Sequence, residues 1–127
     1  MREILFRGKR KLGNEWIEGS LHTEKFTDDE EYLCCEVCQC DVYPETVGQY
    51  TGLTDKNGTK IFEGDIVAGA VRWQERPKNG LVAFESGSFG LIWYRGEAEQ
   101  FNPFTSMCNV EYEVIGNIHD NPELLNK

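Results

Sequence analysis

The sequence lacks any hydrophobic run long enough to cross a membrane. A membrane-spanning helix needs ~18 or more consecutive apolar residues, and the core of a signal peptide needs ~7–15. The chain begins Met-Arg-Glu-Ile-Leu-Phe-Arg-Gly-Lys, which holds no such stretch. We therefore predict a cytoplasmic protein with no membrane contact.

Basic residues are also scarce, which argues against nucleic acid as a direct ligand. The chain has 13 Lys and Arg against 22 Asp and Glu, so its formal net charge is −9. Phosphate backbones are bound by clustered Lys and Arg. Carboxylates are concentrated between Glu24 and Glu45, whereas the first twelve residues are rich in Arg and Lys. This asymmetry is compatible with self-association or a basic partner, although a solvated acidic loop beside a basic turn is the simpler interpretation.

Histidine is rare, and cysteine is concentrated in one segment. Four of the five cysteines lie in Cys34-Cys35-Glu-Val-Cys38-Gln-Cys40, and the Cys35-x-x-Cys38 spacing is that of half a zinc site. Only Cys108, His22 and His119 remain to complete it. On a continuous strand Cys34 and Cys38 would stand ~13 Å apart, too far to share one metal. We therefore predict reduced, structural thiols and no metal residues, with zinc binding by the Cys34–Cys40 cluster as the alternative.

No arrangement of residues in the sequence indicates catalysis. A cysteine nucleophile needs a neighbouring base, and nothing in the pattern brings a histidine to a thiol. Asp55 lies in a Lys-Asn-Gly turn, where aspartate typically accepts hydrogen bonds from its own backbone. Asp65, which follows Gly64, is predicted to fix the start of the next strand by bonds of the same kind. We predict that the protein is not an enzyme and has no catalytic, cofactor-binding or metal-binding residues and no cofactor.

The abundance of aromatic residues and glycine favours a mainly β fold. Aromatic residues make up 12% of the chain and glycine occurs 13 times, which suits short strands joined by tight turns. We predict one domain over residues 1–127, built as a single antiparallel, strongly bent sheet or small open β-barrel with a short C-terminal helix. The predicted strands cover residues 4–7, 16–22, 32–42, 47–50, 66–73, 81–85, 89–94 and 111–115.

The segments between these strands carry their own expectations. Turns are predicted at residues 54–58 and 75–80, and residues 96–109 are predicted to be irregular. Asn121 followed by Pro122 predicts the start of the terminal helix. The basic segment from Arg7 to Lys11 is predicted to be a solvated hairpin turn. The aromatic residues near the two central hairpin strands are assigned to the core, with a stacking platform as the lesser alternative: Trp73, Phe84, Phe89, Trp93 and Tyr94.

Three separated motifs give the chain a family resemblance. They are Gly48-Gln-Tyr-Thr-Gly52-Leu with Asp55-Lys-Asn-Gly58, then Ile61-Phe-Glu-Gly-Asp-Ile-Val67, then Val114-Ile-Gly-Asn-Ile-His119 with Asn121-Pro-Glu-Leu-Leu125. In this order and at these spacings the chain resembles the YopX family of phage and prophage proteins. The resemblance implies a mostly β fold and expression in an infected or lysogenic bacterial cell. It transfers no catalytic or binding residue to this chain.

Together these observations favour a non-enzymatic phage or prophage accessory protein. Such a protein would act by binding a protein partner or by assembling with itself. Two alternatives stay open. The acidic run from Asp28 to Glu31 could imitate the phosphates of nucleic acid and so inhibit a host DNA-binding enzyme. The Cys34–Cys40 cluster could instead make the chain a zinc-binding protein.

Overall fold

The computed structural model of the chain describes residues 4–25, 33–38, 40–73, 76–95, 97–104 and 112–125, without the side chains at 24–25, 33–35, 69–73 and 76–77. The chain divides into two compact units, Met1–Tyr50 and Thr51–Lys127. The described residues form twelve strands and two 3₁₀ turns. The strands are β1 (Phe6–Lys9), β2 (Trp16–Gly19), β3 (Leu21–Lys25), β4 (Leu33–Val37), β5 (Cys40–Asp41), β6 (Gly48–Thr54), β7 (Lys60–Phe62), β8 (Asp65–Trp73), β9 (Arg76–Glu85), β10 (Ser88–Arg95), β11 (Ala98–Pro103) and β12 (Glu113–Asn117).

The first unit is built from two small antiparallel sheets around an aliphatic core. β1 pairs with β2 as a hairpin, and its other edge pairs with the first residues of β6. β3, β4 and β5 form a three-stranded sheet. Val37 and Val42 are fully buried, and Gly8 passes so close to Val42 that an added Cβ would lie 3.0 Å from it. The partly buried residues packed against this pair are Phe6, Ile17, Leu21 and Val47.

The second unit contains a five-stranded antiparallel sheet in the order β11-β10-β9-β8-β12. Residues that are paired across strands share a face, so Val82 and Leu91 point together into the core. The buried core residues are Ile61, Val67, Val82, Leu91 and Tyr112. β12 carries a register shift between Val114 and Gly116, which leaves Ile115 37% exposed.

The C-terminal segment ends as a 3₁₀ turn, Pro122–Leu124, and not as the helix that the sequence predicts. The Asn121 side chain makes no capping bond to this turn. Its carbonyl oxygen instead accepts a bond from the Asn117 backbone N–H at 3.4 Å, and the Leu124 carbonyl accepts from the Asn79 side chain at 2.9 Å. The Asn121 side chain is thus used by the Asn117 backbone and does not cap the turn, and the Asn79 bond ties the turn to β9.

The mainly β, antiparallel class predicted from the sequence is confirmed, while several boundaries are wrong. The strand expected over residues 32–42 is a hairpin, because Cys38 adopts a positive φ of 54° and Val37 pairs with Cys40. Residues 76–80 are the start of β9, paired with β8, and residues 98–103 are β11, paired with β10. Such long-range pairing overrides the turn-like composition of both segments.

The predicted turns, the second predicted strand and the predicted domain have separate outcomes. The turn at residues 54–58 and the β9–β10 hairpin are confirmed. The segment predicted as one strand over residues 16–22 is divided at Ser20 into β2 and β3. In the described part of the chain, no helix has the length and apolar character needed to cross a membrane. The single domain over residues 1–127 stays a prediction.

Candidate functional site

The cysteine segment occupies a hairpin turn rather than a continuous strand. Cys38 is exposed at the turn, its backbone N–H donates to the Ser20 carbonyl at 3.1 Å, and it lies against Gly19. Cys40 is half-buried opposite Val37. The side chains of Cys34 and Cys35, and all of Cys108, lie outside the described residues.

The described side chains do not assemble a metal site. Within the ranges described above, no three His, Cys, Asp or Glu side chains are placed to hold a metal ion. His22 lies on β3 opposite Glu36, and His119 follows β12; both are exposed. Zinc binding by the Cys34–Cys40 cluster stays a prediction, as does the mimic hypothesis, whose run from Asp28 to Glu31 lies outside the described residues.

Asp55 organises the turn between β6 and β7. Its Oδ1 accepts from the backbone N–H groups of Asn57 at 2.8 Å and Thr59 at 2.9 Å, and its Oδ2 accepts from Val114 at 2.9 Å. Burial alone raises the pKa of Asp55, but these three bonds, together with the charge of Lys56, outweigh burial and bring the pKa below its ordinary value of 3.8. The carboxylate therefore bonds to its own turn, as the sequence predicts, and it also ties that turn to β12, which the sequence does not predict.

Asp65 performs a similar task at the start of β8. It is 2% exposed, and its Oδ2 accepts from the backbone N–H of Phe62 at 2.8 Å. The neighbouring Gly64 donates to the Val82 carbonyl at 2.8 Å and accepts from Ile118 at 2.9 Å. Both aspartates thus satisfy buried backbone donors, which explains why carboxylates are tolerated at these buried positions.

A cation–aromatic cluster lies on one face of the β1–β2 hairpin in the first unit. Lys9 is paired with Trp16 across the strands, and Arg7 lies two residues earlier on the same face. The Arg7 guanidinium carbon is 4.8 Å from the centroid of the Trp16 ring, and Lys9 Nζ is 5.9 Å from it. Both distances fall within the ~6 Å range of cation–π attraction. The basic segment is therefore partly strand, whereas the sequence predicts a solvated turn throughout.

The loop that closes this hairpin, which we call the hairpin tip, comprises residues 10–15 and is fixed by backbone bonds. Arg10 N–H donates to the Glu15 carbonyl at 2.9 Å, and Asn14 N–H donates to the Arg10 carbonyl at 3.2 Å. Arg10 Nη1 also forms an ion pair with Glu15 Oε1. Gly13 and Asn14 both have positive φ, 97° and 59°. The loop conformation is thus specified before any ligand arrives.

A second set of bonds ties the hairpin tip and the adjoining end of β1 to residues 41–46. Lys11 N–H donates to the Asp41 carbonyl at 3.1 Å, Tyr43 N–H donates to the Lys9 carbonyl at 3.0 Å, and Lys9 N–H donates to Thr46 Oγ1 at 2.9 Å. The tip is therefore supported on two sides. A supported loop loses little conformational entropy on binding, which favours its use in recognition.

The hairpin tip displays an apolar side chain among cations. Leu12 is 78% exposed, and its neighbour Lys11 is also exposed. An exposed apolar residue on a rigid turn gains free energy when a partner covers it. Sequence reasoning missed Leu12. The available signal was a single leucine within an otherwise polar turn, Lys9 to Glu15.

The five-stranded sheet of the second unit has a contrasting surface on the side away from Leu91, which we call the Tyr94 face. Tyr94 and Phe101 are half-buried there, and Ile92 is 9% exposed. The Phe101 ring lies over Gly90, where an added Cβ would come within 2.7 Å of it. Glu99 is exposed, and the Tyr94 hydroxyl donates to its Oε1 at 3.4 Å. This face combines aromatic surface with a carboxylate at its edge.

Comparison with known proteins places the chain in a family. Residues 5–126 match the family described as YopX protein. The chain belongs to the YopX family. Among solved structures, it is similar to the crystal structure of protein EF1440 from Enterococcus faecalis, with 25% sequence identity and a TM-score of 0.58, over 99% of this chain and 100% of that one. No curated protein sequence matches it.

Membership of the YopX family confirms the resemblance drawn from the three sequence motifs. The match covers all of them, and they fall at β6 and its turn, at β7 and β8, and at β12 with the terminal 3₁₀ turn. Two of the motifs contain the structural aspartates, Asp55 and Asp65. The motifs thus correspond to residues that hold the fold, while the hairpin tip lies outside them.

Proposed function

We propose that this YopX-family chain is a non-enzymatic accessory protein, encoded by a phage or prophage and working in the host cytoplasm, that acts by binding a protein through its hairpin tip. The observation that carries the proposal is the exposure of Leu12, 78%, on a turn held by backbone bonds on both sides. A binding protein gains a preorganised apolar contact.

The charge around Leu12 indicates the kind of partner. Four of the thirteen basic residues of the chain fall within residues 7–11: Arg7, Lys9, Arg10 and Lys11. Arg10 is paired with Glu15, so Lys11 supplies the positive charge directly beside Leu12. Lysine beside an exposed leucine complements a surface that carries carboxylates around an apolar centre. We therefore propose an acidic protein surface as the binding partner and no direct binding of nucleic acid or membrane.

The test compares complexes formed by the wild-type chain with those of the double variant Lys11→Glu, Leu12→Ser. Each is purified from bacterial cells without a chelator or affinity tag and analysed by native mass spectrometry. We expect complexes, either with itself or with another protein, in the wild type and their loss in the double variant. The matched control is Leu53→Ser, which removes a leucine that is 41% exposed and lies outside the hairpin tip. Equal amounts of complex in the wild type and the double variant would contradict the proposal.

A further inference from the structure

We propose that the acidic partner is a second copy of the chain, and that the hairpin tip of one copy docks on the Tyr94 face of the next. This inference rests on the proposed function, since it names the partner of the same hairpin tip. It follows from the complementary chemistry of two surfaces that every copy carries. One carries Lys11 beside an exposed leucine, and the other is aromatic with the Glu99 carboxylate at its edge.

The Tyr94 face is free of basic side chains across the described parts of three strands. Residues on this face follow from the cross-strand pairs, because paired residues point to the same side. From Asn79 onward in β9, the side chains on this face of β9, β10 and β11 include two glutamates and neither lysine nor arginine: Asn79, Leu81, Ala83, Glu85, Ser88, Ile92, Tyr94, Glu99, Phe101 and Pro103. Glu85 and Glu99 are both exposed.

Leu12 and Lys11 of the hairpin tip each have a counterpart on this face. Leu12 would cover the half-buried rings of Tyr94 and Phe101, whose apolar surface is the kind that an exposed leucine is expected to bury. Lys11 would approach Glu99, whose carboxylate is already oriented by the Tyr94 hydroxyl at 3.4 Å. The same ammonium group can also attract the Tyr94 ring by cation–π interaction.

The net charge of −9 opposes self-association in general and so restricts the orientations in which two copies can meet. Two copies repel each other at most orientations because both are acidic. An orientation that brings the basic tip of one copy to the acidic edge of the other avoids this repulsion, so charge selects the contact. The two surfaces differ, so two copies can exchange the contact reciprocally or successive copies can repeat it head to tail.

The experiment is a charge-exchange series on the purified full chain, with mass measured by sedimentation over a range of concentrations. The variants are Lys11→Glu, Glu99→Lys, and both changes in one chain. We expect each single change to raise the dissociation constant of self-association at least ~10-fold, because it places like charges against each other. The double change restores opposite charges at every contact and should return the constant to within ~3-fold of wild type.

Mixing the two single variants provides an independent test of the same pairing. In an equimolar mixture, the tip of the Lys11→Glu chain can meet the face of the Glu99→Lys chain, and the unchanged tip of the latter can meet the unchanged face of the former. We therefore expect the mixture to assemble while each variant alone does not. Lys60→Glu and Glu123→Lys make the same charge changes at other exposed positions and serve as matched controls.

The outcomes separate this inference from the proposed function. A wild-type chain that stays monomeric at every concentration overturns the inference, and so does assembly that neither single change weakens or that the mixture fails to restore. In any of these cases the proposed function still stands if the native mass spectra show a complex with another protein that depends on Lys11 and Leu12. If the chain neither self-associates nor forms such a complex with another protein, both the inference and the proposed function are overturned.

Discussion

The turn at Asp55–Thr59 and the hairpin tip at residues 10–15 both contain glycine at positive φ. The first buries its central polar side chain, whereas the second exposes its side chains to solvent. In the first turn the Asp55 carboxylate is 7% exposed and accepts three backbone bonds. In the second, backbone bonds and the Arg10–Glu15 ion pair hold the loop, and Leu12 and Lys11 face solvent. One turn uses its side chain to hold the fold, while the other leaves its side chains available for a partner.

Structural turns and recognition turns can be distinguished by whether their polar side chains bond to their own backbone. A turn whose polar side chain satisfies its own backbone cannot offer that side chain to a ligand without unfolding locally. In the hairpin tip the exposed side chains of Lys11 and Leu12 make none of the loop-closing bonds described above, so they are available to a partner. The predictions below test whether the two turns differ in this way, beginning with the largest expected effect.

Replacement of Asp55 by alanine should cause the largest loss of stability. The change leaves three backbone donors without their acceptor, and we expect the free energy of unfolding to fall by roughly 2–4 kcal/mol. Asp55→Asn retains one carbonyl oxygen and should lose less. Urea denaturation of both variants measures the effect. Equal losses in the two variants, or a loss below ~1 kcal/mol for alanine, would show that these bonds contribute less than the geometry indicates.

The same carboxylate should make stability depend on pH in the acid range. The pKa of Asp55 in the folded chain lies below its ordinary value of 3.8, so the ionised form is favoured by folding. Its contribution is fully present above that ordinary value and is lost as pH falls through the lower folded pKa. Denaturation of wild type and Asp55→Asn between neutral and acid pH should show their difference shrinking only at the acid end. A difference that persists unchanged in strong acid would contradict the assignment.

The two glycines at positive φ give a matched comparison of intermediate size. Gly58 has φ 84° with open space around its Cβ position, and Gly13 has φ 97° with only Glu15 Oε1 nearby, at 3.5 Å. Alanine at either site should reduce the free energy of unfolding by about 1 kcal/mol, because L residues disfavour this conformation. Gly13→Ala should also weaken self-association, since it disturbs the hairpin tip, whereas Gly58→Ala should not. Thermal denaturation and sedimentation distinguish the two.

The sequence predicts the Asp55 turn well because its signal is local. Aspartate, asparagine and glycine within four residues favour one backbone conformation whatever surrounds them. The hairpin tip depends on distant partners, since Lys11 bonds to Asp41 and Tyr43 bonds to Lys9. Residue composition cannot reveal those partners. The exposure of Leu12 therefore becomes visible only when the fold places β5 beside the tip.

The same distinction explains the errors in strand assignment. Residues 76–80 contain proline, asparagine and glycine, which is the composition of a turn, but pairing with β8 makes them a strand. Ala98–Pro103 shows little alternation of apolar and polar residues, and pairing with β10 decides its structure. The mainly β class was predictable because it depends on average composition. The hairpin tip and the Tyr94 face were not predictable, because both depend on pairing between segments that are distant in the sequence.

Leu12→Ser should have the smallest effect on stability and a large effect on assembly. Leu12 is 78% exposed, so its replacement should change the free energy of unfolding by less than ~0.5 kcal/mol. Leu53 is only 41% exposed, and Leu53→Ser should therefore destabilise the fold more. Self-association should show the opposite order, with the dissociation constant raised ~10-fold by Leu12→Ser and unchanged by Leu53→Ser. If Leu12→Ser destabilised the fold more than Leu53→Ser and also weakened assembly more, the hairpin tip would be another structural turn. The contrast with the Asp55 turn would then fail.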